Sequence, residues 1–230
     1  MNKGFIIAID GPVASGKGTI AKILARKLNA FFLTTGMFYR AVAYYCLENK
    51  IEMLNGEAIK QILPEMDIKV SGETTLLNNQ DVTAYLKLAE VDRVVPLIAN
   101  YKFVREYLIP LQREAGLKLA SERVVIAEGR DMATKVFPEA RVKIYLTASL
   151  ETRAKRRFAQ QSAQKGIDLS HVLAETKKRD EGDMYGGLHY LVSKPERYGY
   201  SIVDDTNLTE EQTIEKILEL IAEKTVVNIA

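Results

Sequence analysis

The chain begins with one continuous apolar run and then changes to an amphipathic pattern. Residues 5–9 read FIIAI, which is typical of a strand buried on both faces of a parallel sheet. After a short loop, isoleucine and leucine recur at helical spacing through residues 20–28, and Asn29 is predicted to end this helix in the left-handed conformation. The pattern therefore predicts a strand, a loop and a helix in that order.

The same alternation returns later in the chain. FFL at residues 31–33 predicts a second strand, and TTGMFYRAVAYYCLENK begins with residues that cap helices and continues as a helix. RVVIAEG and RVKIYLTA predict two further buried strands, and YSIVD predicts a last short one. A closing helix follows, with Thr209 and Gln212 spaced as a capping box. Strands that alternate with helices predict an α/β fold, with a parallel sheet flanked by helices.

Residues 64–117 follow a different pattern. MDIKV, TTLLNN and QDVT are short strand-like segments separated by turn residues, and they predict a small antiparallel sheet. A helical stretch follows from about Leu88 to Gly116, in which Pro96 and Pro110 predict breaks or kinks. We therefore expect a core made of residues 1–63 and 118–230, with an insert at residues 64–117.

Composition narrows the class of protein. The chain has 230 residues, of which 47% are hydrophobic and 27% charged, and its formal net charge is +2. This balance is ordinary for a globular protein and gives no charge-based reason to expect a nucleic-acid or membrane partner. Cys46 is the only cysteine, so no internal disulfide is possible and a reducing compartment is expected. The first apolar run is too short for a signal sequence or a membrane span, and we expect a cytoplasmic protein.

The loop between the first strand and the first helix has the pattern of a phosphate-binding loop. Residues 11–17 match G-x-x-x-x-G-K, but Gly18 stands where the motif ends in Ser or Thr, and Thr19 follows one position later. In such a loop the glycines let backbone N–H groups curl around an anion at a helix N-terminus, and the lysine reaches the β- and γ-phosphates. The predicted ATP-binding residues are Gly11, Pro12, Val13, Ala14, Ser15, Gly16, Lys17, Gly18 and Thr19.

A kinase also needs a second anion site, and two segments are candidates. TTGMFYR places Arg40 on the first turn of a helix, although a solvated helix residue is an equal alternative for this arginine. EGRD places Arg130 and Asp131 just beyond the carboxyl end of a strand, where ligands of open α/β sheets bind. A switch GTPase would need Asn-Lys-x-Asp, which does not occur in the sequence. The pattern therefore favours a kinase.

Seven segments spread over nearly the whole chain resemble those of bacterial cytidylate kinases, which are P-loop nucleoside monophosphate kinases. The segments are IAIDGPVASGKGT, TTGMFYRA, FVRE, IAEGRDMATKVFPEARVKIYLTAS, TRAKRR, KKRD and DDTNLT. The resemblance implies transfer of the γ-phosphate of ATP, with Mg²⁺, to CMP or dCMP. It also implies that residues 64–117 are the insert that binds the nucleoside monophosphate (NMP), and that a helical lid lies at about residues 153–195. A monomer is expected.

The resemblance implies a role for each site residue. Arg40 and Arg130 would hold the acceptor phosphate, and Arg105 and Asp131 would face the cytosine. The full substrate-binding set is Thr35, Arg40, Arg105, Arg130, Asp131, Arg179 and Asp183, with the last two near the ribose. The catalytic set is Lys17, Arg130, Arg153 and Arg157, of which Arg153 and Arg157 belong to the lid over ATP. The metal would be held by Thr19 and by Glu128, the latter through water.

The chain departs from the family pattern at several of these positions. Thr34 and Glu128 each stand where aspartate is usual, and Pro96 stands where some members have a cytosine-contacting serine. Gly182 and Gly186 stand where the lid usually carries arginines, one of which binds the acceptor phosphate. A weaker phosphate grip is therefore expected, unless a substitute exists; the candidate substitutes are Arg179, His189 and Lys194. Two alternative functions stay open, namely a P-loop kinase for another nucleotide or a small metabolite, and a nucleotide-binding regulator with weak turnover.

Overall fold

Five parallel strands form the central sheet of the computed structural model, which describes residues 4–161, 168–185 and 191–226. The strand order is β2-β6-β1-β7-β8, and every neighbouring pair is parallel. The central strand is buried along its whole length, as its apolar run predicts. The strands are β1 (Ile6–Asp10), β2 (Phe31–Thr34), β6 (Val125–Glu128), β7 (Val142–Thr147) and β8 (Ser201–Asp204).

Helices cover both faces of this sheet. Helices α1 and α8 contribute to one apolar cluster with the sheet, and α2, α4 and α5 contribute to a second cluster, which also holds the insert. The predicted α/β architecture is confirmed. The helices are α1 (Lys17–Lys27), α2 (Gly36–Glu48), α3 (Gly56–Ile62), α4 (Ala89–Ala99), α5 (Lys102–Ala120), α6 (Leu150–Gln161), α7 (Leu169–Tyr185) and α8 (Glu210–Val226).

Two predicted helix ends are confirmed in atomic detail. Asn29 has a φ of 48°, and the N–H of Ala30 donates to the carbonyl of Ala25 at 2.8 Å, which is the Schellman arrangement after α1. Before α8, the N–H of Thr209 donates to Oε1 of Gln212 at 2.9 Å, and the N–H of Gln212 donates to Oγ1 of Thr209 at 3.2 Å. Local sequence therefore determines both helix boundaries.

The predicted antiparallel sheet is also confirmed. Strands β3 (Ile68–Ser71), β4 (Thr74–Leu77) and β5 (Gln80–Asp81) pair in chain order. The β3–β4 turn contacts the core, because Gly72 bridges to β2 and Nζ of Lys22 on α1 lies 2.5 Å from Oε1 of Glu73. This second sheet is therefore anchored beside the edge strand of the first.

Of the breaks or kinks expected at Pro96 and Pro110, the breaks are wrong. Helix α4 continues through Pro96, and α5 continues through Pro110 to Ala120. The two helices separate instead at Tyr101, whose backbone is extended and whose hydroxyl donates to the carbonyl of Met53 at 2.9 Å. This contact of Tyr101 with Met53 decides where the chain turns. Each helix tolerates the loss of the one backbone hydrogen bond that its proline cannot donate.

Gly116 does not end α5, contrary to the sequence-based expectation. A Cβ at this position would lie 2.3 Å from the ring of Phe137, so the glycine allows a close packing contact. None of the helices in the described ranges is both long and apolar enough to cross a membrane.

Candidate active site

The loop between β1 and α1 depends on both glycines of its motif. Gly11 has a φ of 156°, and a Cβ there would lie 2.1 Å from the carbonyl oxygen of Leu146 on β7. Gly16 has a φ of 83° and stands at the N-terminus of α1, a conformation that residues with a Cβ rarely adopt. The loop therefore has the backbone shape that the sequence motif predicts.

Four carbonyl oxygens of this loop each accept a hydrogen bond from a different cationic side chain. Only one of these side chains, a lysine, belongs to the loop motif; the arginines come from the segment after β6 and from α6. Each of the three arginines is also paired with a carboxylate, namely Arg130 with Asp183, Arg153 with Asp180 and Arg156 with Asp205. The contacts are Arg130 Nη1 to Gly11 at 3.2 Å, Lys17 Nζ to Pro12 at 3.0 Å, Arg153 Nη1 to Val13 at 3.0 Å and Arg156 Nη1 to Ser15 at 3.4 Å.

Lys17 and Arg153 are the buried members of this cationic group. Burial and the positive charge of Arg130 together lower the pKa of the Lys17 ammonium to about 7, although Glu128 and Asp10 oppose the shift. An arriving phosphate would favour the charged ammonium and raise this pKa again. Lys17 is therefore poised to gain charge as the phosphate binds.

A cavity of about 730 Å³ opens beside this loop, between the sheet edge, the insert and α7. Ten of the predicted site residues line it, which brings together groups that lie far apart in the chain. Arg153 does not line this cavity, and Thr19 lines an adjoining one of about 570 Å³ that shares Glu128. The ten residues are Lys17, Thr35, Arg40, Glu128, Arg105, Arg130, Asp131, Arg157, Arg179 and Asp183.

Three arginines converge on one side of the cavity around Asp183. Nε of Arg130 lies 2.7 Å from Oδ2 of Asp183. Burial and the charges of Arg130 and Arg157 together lower the pKa of Arg179 to about 10. Nε of Arg157 is buried and has no hydrogen-bond partner among the described residues. The three guanidinium groups thus outnumber Asp183 and Asp92, the two carboxylates that act on Arg179, and this excess of positive charge suits an anion.

Arg40 reaches the cavity from the opposite side. It lies one full turn inside α2, which begins at Gly36, and so not on the first turn. Its Nη1 donates to the carbonyl of Leu86 at 2.7 Å, and its Nη2 pairs with Asp92 on α4. The insert therefore holds this arginine through two contacts.

A buried ion pair lies deeper in the cavity. Arg105 on α5 pairs with Asp131, which follows the strand β6. The guanidinium of Arg105 lies 5.4 Å from the centre of the Tyr39 ring, and burial raises the pKa of the Asp131 carboxyl although Arg105 opposes the shift. A carboxylate and a guanidinium side by side can accept from an exocyclic amine and donate to ring acceptors.

Thr34 acts on the carboxylate of Glu128. The two residues face each other in the parallel pairing of β2 with β6, and Oγ1 of Thr34 donates to Oε1 of Glu128 at 2.5 Å. Threonine at this position therefore orients one carboxylate, whereas an aspartate would add a second. Thr35 also contacts Glu128, since its Oγ1 donates to the backbone carbonyl at 3.0 Å.

The oxygen atoms of Thr19, Thr34 and Glu128 line one cavity, and this donor set fits Mg²⁺. Magnesium prefers oxygen ligands and often takes only one or two carboxylates, with phosphates and water completing its shell. No cluster of three His, Cys, Asp or Glu residues that could hold a metal occurs in the part of the chain that the structure describes.

Sequence reasoning missed Asp10, although a lone acidic residue at the end of an apolar strand was a signal. It is fully buried and accepts hydrogen bonds from the amides of Met132 and Ala133 at 2.8 and 2.9 Å and from the hydroxyl of Tyr200 at 2.5 Å. Burial raises the pKa of its carboxyl to about 6. Asp10 thereby ties the end of β1 to the turn that follows Asp131.

Two other aspartates of the site were also missed. Asp180 lies in the KKRD segment, of which only the arginine was considered, and it contacts the phosphate-binding loop. Asp92 pairs with Arg40, and no sequence signal pointed to it.

Of the two glycines that stand where lid arginines are usual, the structure describes only Gly182. Gly182 lines the large cavity, and a Cβ there would meet no atom within 4 Å. Gly186 and His189 lie outside the described residues, and Lys194 is exposed. Of the candidate substitutes for the missing arginines, Arg179 is the one that the structure places in the cavity wall.

A phosphate-binding loop between β1 and α1, facing a second cationic site across one cavity, defines the class of P-loop kinases. The family model for cytidylate kinase matches residues 7–223. The chain therefore belongs to the cytidylate kinase family and is a nucleoside monophosphate kinase.

Curated relatives agree with this assignment. A cytidylate kinase of Carboxydothermus hydrogenoformans is 41% identical over 224 residues, which cover 95% of this chain and 97% of that protein. A cytidylate kinase of Bacillus subtilis is 34% identical, with 97% and 99% covered. Among solved structures, a gluconokinase from Sinorhizobium meliloti matches with a TM-score of 0.51 at 12% identity, covering 99% of this chain and 98% of that chain. That structural likeness concerns the fold alone.

Proposed function

We propose that the protein transfers the γ-phosphate of ATP to CMP or dCMP and releases ADP and CDP or dCDP. Membership of the cytidylate kinase family supports this activity. The observation that carries the proposal is the single cavity, in which the phosphate-binding Lys17 and the buried Arg105–Asp131 pair face a common space. One end of this space suits the phosphates of a donor, and the other suits the base of an acceptor.

The acceptor phosphate is held by Arg40 and Arg130, and we add Arg179 as its third partner. Arg179 lies in the cavity wall, and its lowered pKa reflects burial next to other guanidinium groups. This cationic crowding would be relieved by a dianionic phosphate. Arg179 would thus replace part of the phosphate contact that arginines at positions 182 and 186 usually supply, and Asp183 would remain near the ribose.

The base is selected by the Arg105–Asp131 pair, with Thr35 in the same pocket. Cytosine offers an amine donor and ring acceptors on one edge, which matches a carboxylate beside a guanidinium. A base that leaves these buried groups without hydrogen bonds would lose roughly 10⁴-fold in transfer efficiency. The 64–117 segment, which carries Arg105 and Asp92, is proposed as the NMP-binding insert.

Transfer is direct and in line. An oxygen of the acceptor phosphate attacks the γ-phosphorus, the bond to the β–γ bridging oxygen breaks, and its electron pair stays on ADP. Lys17 and Arg157 neutralise charge that develops on the transferred group, and no covalent enzyme intermediate is needed. Thr19 and Glu128 would hold Mg²⁺, Glu128 through water; the ion supplies charge neutralisation between the phosphates.

Arg153 acts on the loop rather than on the phosphate. Its guanidinium donates to the carbonyls of Ala148 and Val13, both at 3.0 Å, and only 7% of the residue is exposed. We further propose a lid at about residues 153–195, a monomeric state and a cytoplasmic location. The single, buried thiol of Cys46 supports a reducing compartment.

The test is a panel of monophosphates assayed with ATP and Mg²⁺. We expect CMP and dCMP to exceed AMP and GMP by about 10⁴-fold in kcat/KM. Asp131→Ala should lower kcat/KM for CMP and narrow its lead over UMP, whereas Asp81→Asn, an exposed carboxylate of the insert, should leave both unchanged. Preference for AMP, or for a small metabolite, would contradict the proposed acceptor, and absence of any turnover would favour a regulator.

A further inference from the structure

One ion pair holds both polar groups of a single residue of the phosphate-binding loop. The N–H of Val13 donates to Oδ1 of Asp180 at 3.3 Å, and the carbonyl of Val13 accepts from Nη1 of Arg153 at 3.0 Å. The two side chains also bind each other, with Nη1 of Arg153 2.6 Å from Oδ2 of Asp180. Val13, Arg153 and Asp180 thus form a closed ring of hydrogen bonds, which we name the Val13 clamp.

The Val13 clamp is buried and joins three elements. Arg153 and Asp180 are 7% and 8% exposed, and they belong to α6 and α7. Oδ1 and Oδ2 of Asp180 each accept a hydrogen bond within the clamp. Because a buried charge pair is strong only when its geometry is satisfied, this arrangement holds the loop against both helices.

Helix α7 reaches the loop a second time, three residues further along. Asp183 pairs with Arg130, and Arg130 donates to the carbonyl of Gly11 at 3.2 Å. Residues three apart lie on one helix face, so Asp180 and Asp183 both face the loop. The same helix carries Arg179 into the wall of the acceptor cavity. Movement of α7 would therefore disturb the loop and the acceptor site together.

We propose that Asp180 is a positioning residue, which acts through the Val13 clamp to link the shape of the ATP-binding loop to the position of α7. The clamp keeps the Val13 peptide oriented before ATP arrives, so less ordering is required on binding. ATP binding and acceptor binding are then coupled, because both require the same placement of α7. The inference rests on the proposed function for ATP as the donor but not for CMP as the acceptor.

The test uses the full chain with Asp180→Leu, and with Glu181→Gln as the matched control. Glu181 is an exposed carboxylate on the same helix. Two quantities are measured without an acceptor: hydrogen exchange of the Val13 amide in the free protein, and the Kd of ATP with Mg²⁺ by calorimetry. We expect exchange and Kd each to rise about tenfold or more in Asp180→Leu, the scale of one lost charge-assisted hydrogen bond, with the control unchanged.

A second variant covers the case in which a lone buried Arg153 prevents folding. Arg153→Met combined with Asp180→Leu removes both charges and fills the space with apolar side chains, which buried pairs often tolerate. If the clamp acts as one unit, ATP binding in the double variant weakens no more than in either single variant. The double variant should also show the faster Val13 exchange.

Two results would overturn the inference. Unchanged Val13 exchange with unchanged ATP affinity would mean that the contacts do not hold the loop. Tighter ATP binding in Asp180→Leu would mean that Arg153 is a phosphate ligand restrained by its partner. Neither measurement includes an acceptor. If the protein bound ATP but rejected CMP, the proposed function would be contradicted, and the Val13 clamp could still be tested by the same two measurements.

Discussion

Lys17 on the donor side of the cavity and two arginines on the acceptor side are held in different ways. Nζ of Lys17 donates to a carbonyl oxygen of the loop, whereas Arg40 and Arg105 are paired with aspartates. A carbonyl dipole orients a cation but leaves its net charge available, while a carboxylate neutralises it. Arg130 does both, since it contacts the Gly11 carbonyl and Asp183.

This difference indicates which substitutions can release a cation on each side of the cavity. Lys17 rests on a backbone carbonyl of the loop, so changing a partner side chain cannot release it. Acceptor-side arginines must share or exchange their carboxylates when a phosphate binds, so their affinity depends on those carboxylates. The effects of substitutions on catalysis and ligand binding should therefore differ between the two sides in sign as well as in size.

The largest effect is expected from Lys17→Ala on the donor side. Losing one preorganised charge donor typically lowers kcat by about 10² to 10³, and no second cation reaches the Pro12 carbonyl among the described contacts. Steady-state kinetics would measure the loss, with circular dichroism as the check on folding. Turnover near the wild-type rate would remove this lysine from the mechanism.

A gain of function is expected from Gly182→Arg on the acceptor side. The position lines the cavity, and a Cβ there meets no neighbouring atom. A new charge-assisted hydrogen bond to the acceptor phosphate is worth about 1.5 to 3 kcal/mol, so kcat/KM for CMP should rise about tenfold or more. Gly182→Ala is the control for helix propensity. Absence of a gain would mean that Arg179 already completes the phosphate site.

The pH dependence of ATP binding should show the state of Lys17. Its pKa is lowered to about 7 in the empty site, so its charge is present below pH 7 and is lost as the pH rises. Affinity for ATP should then fall up to about tenfold per pH unit above 7, measured by calorimetry. Lys17→Arg keeps its charge and should lack this decline; a decline shared by both proteins would place its origin elsewhere.

The smallest effect is expected from Asp92→Asn. The informative result is whether the affinity for CMP rises or falls. Asp92 is largely exposed and pairs with Arg40, and exposed pairs contribute only about 0 to 1 kcal/mol. Releasing Arg40 should lower the Kd for CMP by about two- to fivefold. Weaker CMP binding would show that Asp92 positions Arg40 for the phosphate. It would contradict the view that this carboxylate competes with the phosphate for the arginine.

Much of the fold could be predicted because its signals are local. The apolar run of β1, the left-handed Asn29 and the Thr209–Gln212 capping box each involve residues close in sequence, and each is confirmed. The small antiparallel sheet was predicted for the same reason. The helix breaks predicted at the prolines were wrong, because the turn between α4 and α5 depends on a contact of Tyr101 with Met53, which is distant in sequence.

The sequence by itself determined the phosphate-binding loop and, through the resemblance to cytidylate kinases, ten side chains that share one cavity. Only the tertiary structure decided how these side chains are partnered. Asp10, Asp92 and Asp180 act on groups between 50 and 170 positions away, and such contacts leave no periodicity or spacing in the chain. A local pattern records the geometry of one element, whereas charge pairing across elements depends on how they pack.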